Sequence, residues 1–185
     1  ELRRGRFFNS KNIKISPMSK FGWHFKHGGH REIVYGKAAL FLRTLEGLVG
    51  ENCMRDVIKT YYKRWKFKHP CRNDFIDVVN EIVPKHHTKF GDNMNWFLNQ
   101  GIFGTNECDY AVHSISTEKI IQPLGFFDDS ENVELPSEGN DSIVQYKTKT
   151  ILYRLGEFIV PQEIKIVFDN GDVIVEEWDG KARSH

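Results

Sequence analysis

The hydrophobic period of this chain changes once, and that change limits the possible folds more than any other feature. Up to about residue 104, apolar side chains recur at helical spacing; from Asp109 onward they alternate. Helical spacing followed by a period of two predicts helices first and strands afterwards, an α+β fold. We expect a bundle of about four helices over residues 1–105, followed over 106–185 by a small antiparallel, β-sandwich-like module that is incomplete.

Within the helical part, residues 31–49 read as a helix that is apolar on nearly every side, with Gly50 as its stop. A second helix is expected from about Glu51 to Lys66. Met54, Val57, Ile58, Tyr61, Tyr62 and Trp65 form its apolar stripe, and Lys59, Lys63, Arg64 and Lys66 lie on or near its wet side. Pro70 breaks the chain. Asn73 is placed to cap a third helix, with Asp74 in its first turn, Phe75, Val78, Val79 and Ile82 facing inward, and Pro84 just past its end. A fourth, shorter helix is expected from about Asp92 to Asn99, after which Gly101 and Gly104 mark a loop. Residues 1–30 show no sustained period and read as an ordered covering loop.

The β part begins with a strand from about Asp109, in which Tyr110, Val112 and Ser114 oppose Ala111, His113 and Ile115. Residues 128–142 read as a surface loop, and a second strand follows from Ile143 to Leu155. Asn170-Gly171 predicts a two-residue hairpin, since both residues accept positive φ. That turn would set Phe168 against Val173, Ile166 against Val175 and Lys165 against Glu176. The turn at Asp179-Gly180 comes five residues before the last residue, which reads as a sheet lacking its final strand. With Glu1 rather than Met at the start, we expect the chain to be a piece of a longer protein.

Composition narrows the class. The 185 residues carry 26 Lys plus Arg against 25 Asp plus Glu, which argues against a dedicated nucleic-acid binder. No apolar run is long enough to span a membrane, and no signal peptide is visible. Cys53, Cys71 and Cys108 are widely spaced and form no C-x-x-C pair, so neither a zinc ribbon nor a redox motif is supported; we read them as mostly buried thiols.

The candidate site lies at Tyr35-Gly36-Lys37-Ala38-Ala39, where a phenol and an ammonium open an apolar helix. Periodicity alone reads Tyr35 as a core aromatic with its hydroxyl on a backbone partner. Further along stand Leu45-Glu46 and Gly50, then Tyr61, Tyr62, Phe67-Lys68 and Asp74-Phe75, and finally Asn95-Trp96-Phe97-Leu98-Asn99-Gln100-Gly101. In this order, across roughly residues 31–117, these resemble the aminopeptidase N-like zinc metallopeptidases, a gluzincin family with a Tyr-x-Lys-Gly-Ala-type motif at the start of a buried helix. Ala38 departs from the Gly common in that motif. The larger departure is that the chain contains no His-Glu-x-x-His.

The resemblance implies that Tyr35 is a catalytic residue, donating a hydrogen bond to the oxyanion formed when a peptide bond is attacked. Zinc would then be held by an N-terminal segment outside this chain that carries the zinc motif. The substrate would be a peptide, and this chain alone would be inactive and metal-free. Lys37 is expected to serve the fold by pairing with a carboxylate, or else to extend its ammonium to solvent. His24, His27 and His30 are metal-ligating residue types, but Gly28-Gly29 interrupt them, and we read them as exposed loop histidines. The alternative reading of the whole is a non-catalytic protein-interaction module from a degenerate peptidase relative.

Overall fold

A computed structural model of the chain describes residues 16–25, 29–120 and 146–185. The fold is α+β: a long helix with further helices, followed by two small antiparallel sheets. Part of the expected covering segment (residues 1–15 and 26–28), the expected loop at 128–142 and the start of the second strand at Ile143 lie outside the described residues.

Helix α1, Ala38–Trp65, is preceded by a π-helical turn, Glu32–Lys37. Ile33, Lys37, Phe41, Leu45, Val49, Cys53 and Val57 are all buried, a stripe spaced at every fourth residue. In an ideal helix of 3.6 residues per turn, such a stripe drifts about 40° around the axis at each step. Two local irregularities accompany this stripe. The π turn adds a residue to the first coil, where the Ala38 amide donates to the Ile33 carbonyl five residues back. At Gly50, φ is 79° and ψ is 158°, so the helical path breaks there. The expected boundary between two helices is therefore found at Gly50, and α1 consists of two helical stretches that meet at this break. The Val49 carbonyl beside the break lies 2.7 Å from Nε2 of His87.

The apolar face beyond the kink is narrower than expected. Met54 and Val57 are buried and Tyr61 packs edge-on against Phe75, but Ile58 and Tyr62 are exposed. Of the three cysteines only Cys53 is buried; Cys71 and Cys108 are exposed. Helix α2, Arg72–His86, starts after Cys71 rather than at Asn73. The carboxylate of Asp74 accepts from the Cys71 amide at 2.6 Å, which makes Cys71 the first half-helical residue. Pro84 lies inside the last turn of α2, where its missing N–H forgoes a single helical bond. The fourth helical segment starts later than expected, because the Asn93 side chain accepts from the Asn95 amide and holds a turn. It comprises α3, Asn95–Leu98, which continues as a second π turn, Asn99–Phe103.

Strand β1, Tyr110–Lys119, pairs antiparallel with β2, Tyr146–Arg154. Its alternation is interrupted by a bulge between Val112 and Ser114, which leaves His113 stacked on Tyr153 at 4.3 Å. Strand β3, Gln162–Val167, pairs with β4, Val173–Trp178, one residue out of the expected register. Val167 faces Val173, Ile166 faces Ile174 and Lys165 faces Val175, so no Lys165–Glu176 pair forms. The reason lies in the turn. Only Gly171 takes positive φ, at 88°, while a two-residue turn of the expected kind needs two such residues. The Gly171 amide donates to the Phe168 carbonyl, and the Phe168 amide to Asp172, giving a three-residue loop with a glycine bulge.

The chain also returns after Gly180. Leu152 and His185 exchange both backbone hydrogen bonds, at 3.0 and 3.1 Å, and the Arg154 amide donates to the Arg183 carbonyl. Residues 183–185 thus lie along β2, where an absent strand was expected. The buried guanidinium of Arg154 fixes this corner by donating to the carbonyls of Gly180, Gly156 and Lys181.

Phe67 follows α1 at φ 62°, the only non-glycine residue at positive φ among those described. The Lys68 amide donates to the Trp65 carbonyl at 2.9 Å, closing a tight turn in which Phe67 holds the position that favours glycine. Its ring is 98% exposed, so it gains no packing there. Phe67→Gly is expected to raise stability by about 1 kcal/mol, and Gly50→Ala to lower it by at least about 1 kcal/mol, in chemical denaturation.

Candidate functional site

Tyr35 sits on the π turn between Ile33 and Lys37, which both face inward. Two residues from each of them, its ring points the other way and is 68% exposed. Its hydroxyl makes no hydrogen bond with the described residues. The reading of Tyr35 as a core aromatic is therefore corrected: Tyr35 lies on the wet side, and Lys37 takes the core position.

Lys37 neither pairs with a carboxylate nor reaches solvent. It is 6% exposed, and Nζ donates to the Gly104 carbonyl at 2.7 Å. No carboxylate of the described residues lies within ion-pairing distance of it. The ammonium falls at a core position because it belongs to the every-fourth stripe. Burial pushes its pKa below the ordinary lysine value, since desolvation disfavours the charged form. One residue ahead of the stripe, Oε2 of Glu32 is shielded from solvent and has no partner among the described residues.

Gly104 is the first residue after the last helical turn, so Lys37 ties the start of the buried helix to the junction with the β part. The same junction is held from the other side by Gln100. Its amide accepts from the Ile159 backbone at 2.8 Å and donates back at 3.1 Å. Phe97 meets Phe158 edge-on at 5.3 Å, and Phe158 and Val160 join the helical core. The turn that presents Tyr35 is thus anchored through a cation on a backbone carbonyl and through a core shared by both parts.

The candidate histidines are not brought together as ligands. His24 contacts the Trp23 and Phe21 rings, His30 packs edge-on against Phe25 at 5.2 Å, and His27 lies outside the described residues. Among the described residues, no three His, Cys, Asp or Glu side chains converge where they could hold a metal ion. A cleft of about 410 Å³ opens between α1 and the β3–β4 hairpin, lined by Thr44, Gly47, Lys89 and Glu177 among others; Tyr35 and Lys37 are not part of its wall.

Two features of the site escape sequence reasoning. The π turn has no residue signature. The Gly104 acceptor joins residues 67 positions apart, which no local pattern reveals. No family model matches the chain, and neither a curated protein nor a solved structure matches it.

The lowered pKa of Lys37 has a definite sign in stability. Between its folded value and the ordinary 10.5, the unfolded chain binds the proton and the folded chain does not. The contribution of this group to stability therefore rises with pH across that window. Lys37→Met should remove this rise. Denaturation midpoints of the two proteins, followed from neutral pH upward, should converge or cross in favour of the parent; a constant difference would exclude the effect.

Proposed function

We propose that this chain supplies the oxyanion-stabilising phenol of a zinc-dependent aminopeptidase, Tyr35 being the donor. The observation that carries the reading is the placement of this side chain. A hydroxyl with no intramolecular partner among the described residues is held out on a π turn, and the turn is anchored by a buried ammonium. Single π turns inside α-helices occur frequently at functional positions. The ordered match to the aminopeptidase N-like motifs supplies the chemistry.

The described residues do not fit a zinc site, and the sequence contains no His-Glu-x-x-His. In this reading zinc would be held by other polypeptide carrying that motif, where it would polarise the scissile carbonyl and lower the pKa of its water. The part played by this chain is electrostatic. As the carbonyl oxygen gains negative charge, the Tyr35 O–H donates to it, and a donor fixed beforehand needs little reorganisation at that moment. Lys37 acts through the backbone: it holds the turn and touches no substrate. The substrate is a peptide with a free N-terminus.

A second reading, a non-catalytic interaction module, is favoured by the apolar side chains exposed on the hairpins, including Val112, Ile115 and Val175. The two separate in the complete protein. Under the enzymatic reading, Tyr35→Phe lowers kcat on an aminoacyl chromogenic substrate by roughly 10²–10³ and leaves KM nearly unchanged. Turnover unaffected by this change would overturn the role of Tyr35, and a complete protein without hydrolytic activity would favour the module.

A further inference from the structure

We propose that the turn joining α1 to α2 docks on an anionic lipid bilayer, with Phe67 inserted and the lysines around it bound to headgroups. This inference is independent of the peptidase reading. It begins with the fully exposed Phe67 ring, held at positive φ where glycine would fit without strain. A strained backbone position carrying a bulky apolar group is retained against the fold, and such outliers gather at functional surfaces.

The surroundings give the charge of the partner. Lys66 and Lys68 flank Phe67, Lys63 lies one turn back on α1, and all three are exposed. Lys68 Nζ sits 5.6 Å from the Trp65 ring centroid, which keeps this cation near the tip. From Val57 to Asn73 the sequence contains no Asp or Glu. Of the three acids of α2, Asp74 accepts from the Cys71 amide and Glu81 is bridged by Arg64 and Lys85, which leaves the exposed Asp77 against the cations of the tip. The tip is thus cationic, with one apolar group at its apex and Tyr62, also exposed, on the helix behind it.

The shape selects among anionic partners. Single-stranded nucleic acid is held in a groove that follows its backbone, with bases stacked on successive aromatics. Here a single ring stands on a convex turn between two helices, which suits a broad, soft surface that the ring can enter while the lysines stay at headgroup level.

The test uses the full chain with unilamellar vesicles of phosphatidylcholine, alone or mixed with phosphatidylglycerol, and reads binding by co-sedimentation at low and high salt. Binding is expected to the mixed vesicles alone and to weaken with salt. Lys66→Gln and Lys68→Gln should each weaken it by about five-fold. Phe67→Gly should weaken it by about ten-fold or more. Glycine suits the turn, so this variant stays folded, and loss of binding cannot be ascribed to unfolding. The proposal is overturned if the chain ignores mixed vesicles, if Phe67→Gly binds them as well as the parent, or if a single-stranded oligonucleotide competes it off them.

Discussion

The arrangement of the helical part depends on one buried ammonium. A lysine at a core position must find an acceptor or shed its charge, because desolvation of an unpaired cation is among the larger penalties a fold can carry. Lys37 finds the carbonyl of Gly104, a neutral dipole rather than a counter-ion. That choice leaves the pKa depressed, where a carboxylate partner would tend to raise it. It also fixes geometry. A hydrogen bond from a four-carbon side chain to a backbone carbonyl positions the main chain itself, and this carbonyl lies where the helices give way to strands. Gln100 and the Phe97–Phe158 contact then hold the same junction from the far side.

The β part solves a different problem. Two two-stranded sheets have little interior of their own, and isolated hairpins are marginal in water. Here they are joined by polar side chains that reach backbone carbonyls. The Arg154 guanidinium gathers three of them, and the Tyr110 hydroxyl bonds both Phe158 and Val160 while its ring meets Trp178 edge-on. Residues 183–185 occupy the free edge of β2 near Arg154, which removes unpaired backbone groups that would otherwise invite another strand. Apolar side chains on the hairpins remain exposed nonetheless, Val112 and Ile115 on β1 and Val173, Ile174 and Val175 on β4.

What could be read from the residues was what depends on periodicity. The change from helical to alternating spacing gave the α+β order, and Gly50 was legible as a break because glycine alone accepts its φ without strain. Features set by competition between local options were not legible. The Asn170-Gly171 pair fits a two-residue turn, yet the Asn170 side chain donates to the Asp172 carboxylate and accepts from the Asp172 amide, and the loop takes three residues. Asn73 is a better capping residue than Cys71, but Cys71 is the cap, closed by the Asp74 carboxylate on its amide. For the candidate site, residue identity was readable but the face was not: Tyr35 and Lys37, two apart on a helix, point in opposite directions, and which of them meets the core is decided by the stripe that Ile33 and Lys37 share.

These two residues show why function and fold are coupled at this place. A stripe at every fourth residue stays on one face only when the helix is under-wound, and the π turn meets that need at its first coil. With Ile33 and Lys37 both held inward, the residue midway between them has to face outward. The exposure of Tyr35 is therefore a consequence of core packing, not a separate adaptation. A phenol presented this way has its direction fixed by the buried residues on either side, and this rigidity is the property that the proposed oxyanion donor requires. Phe67, just past the other end of α1, stands in contrast. Nothing among the described core residues demands its orientation, and its backbone opposes it, which is the observation the membrane proposal starts from.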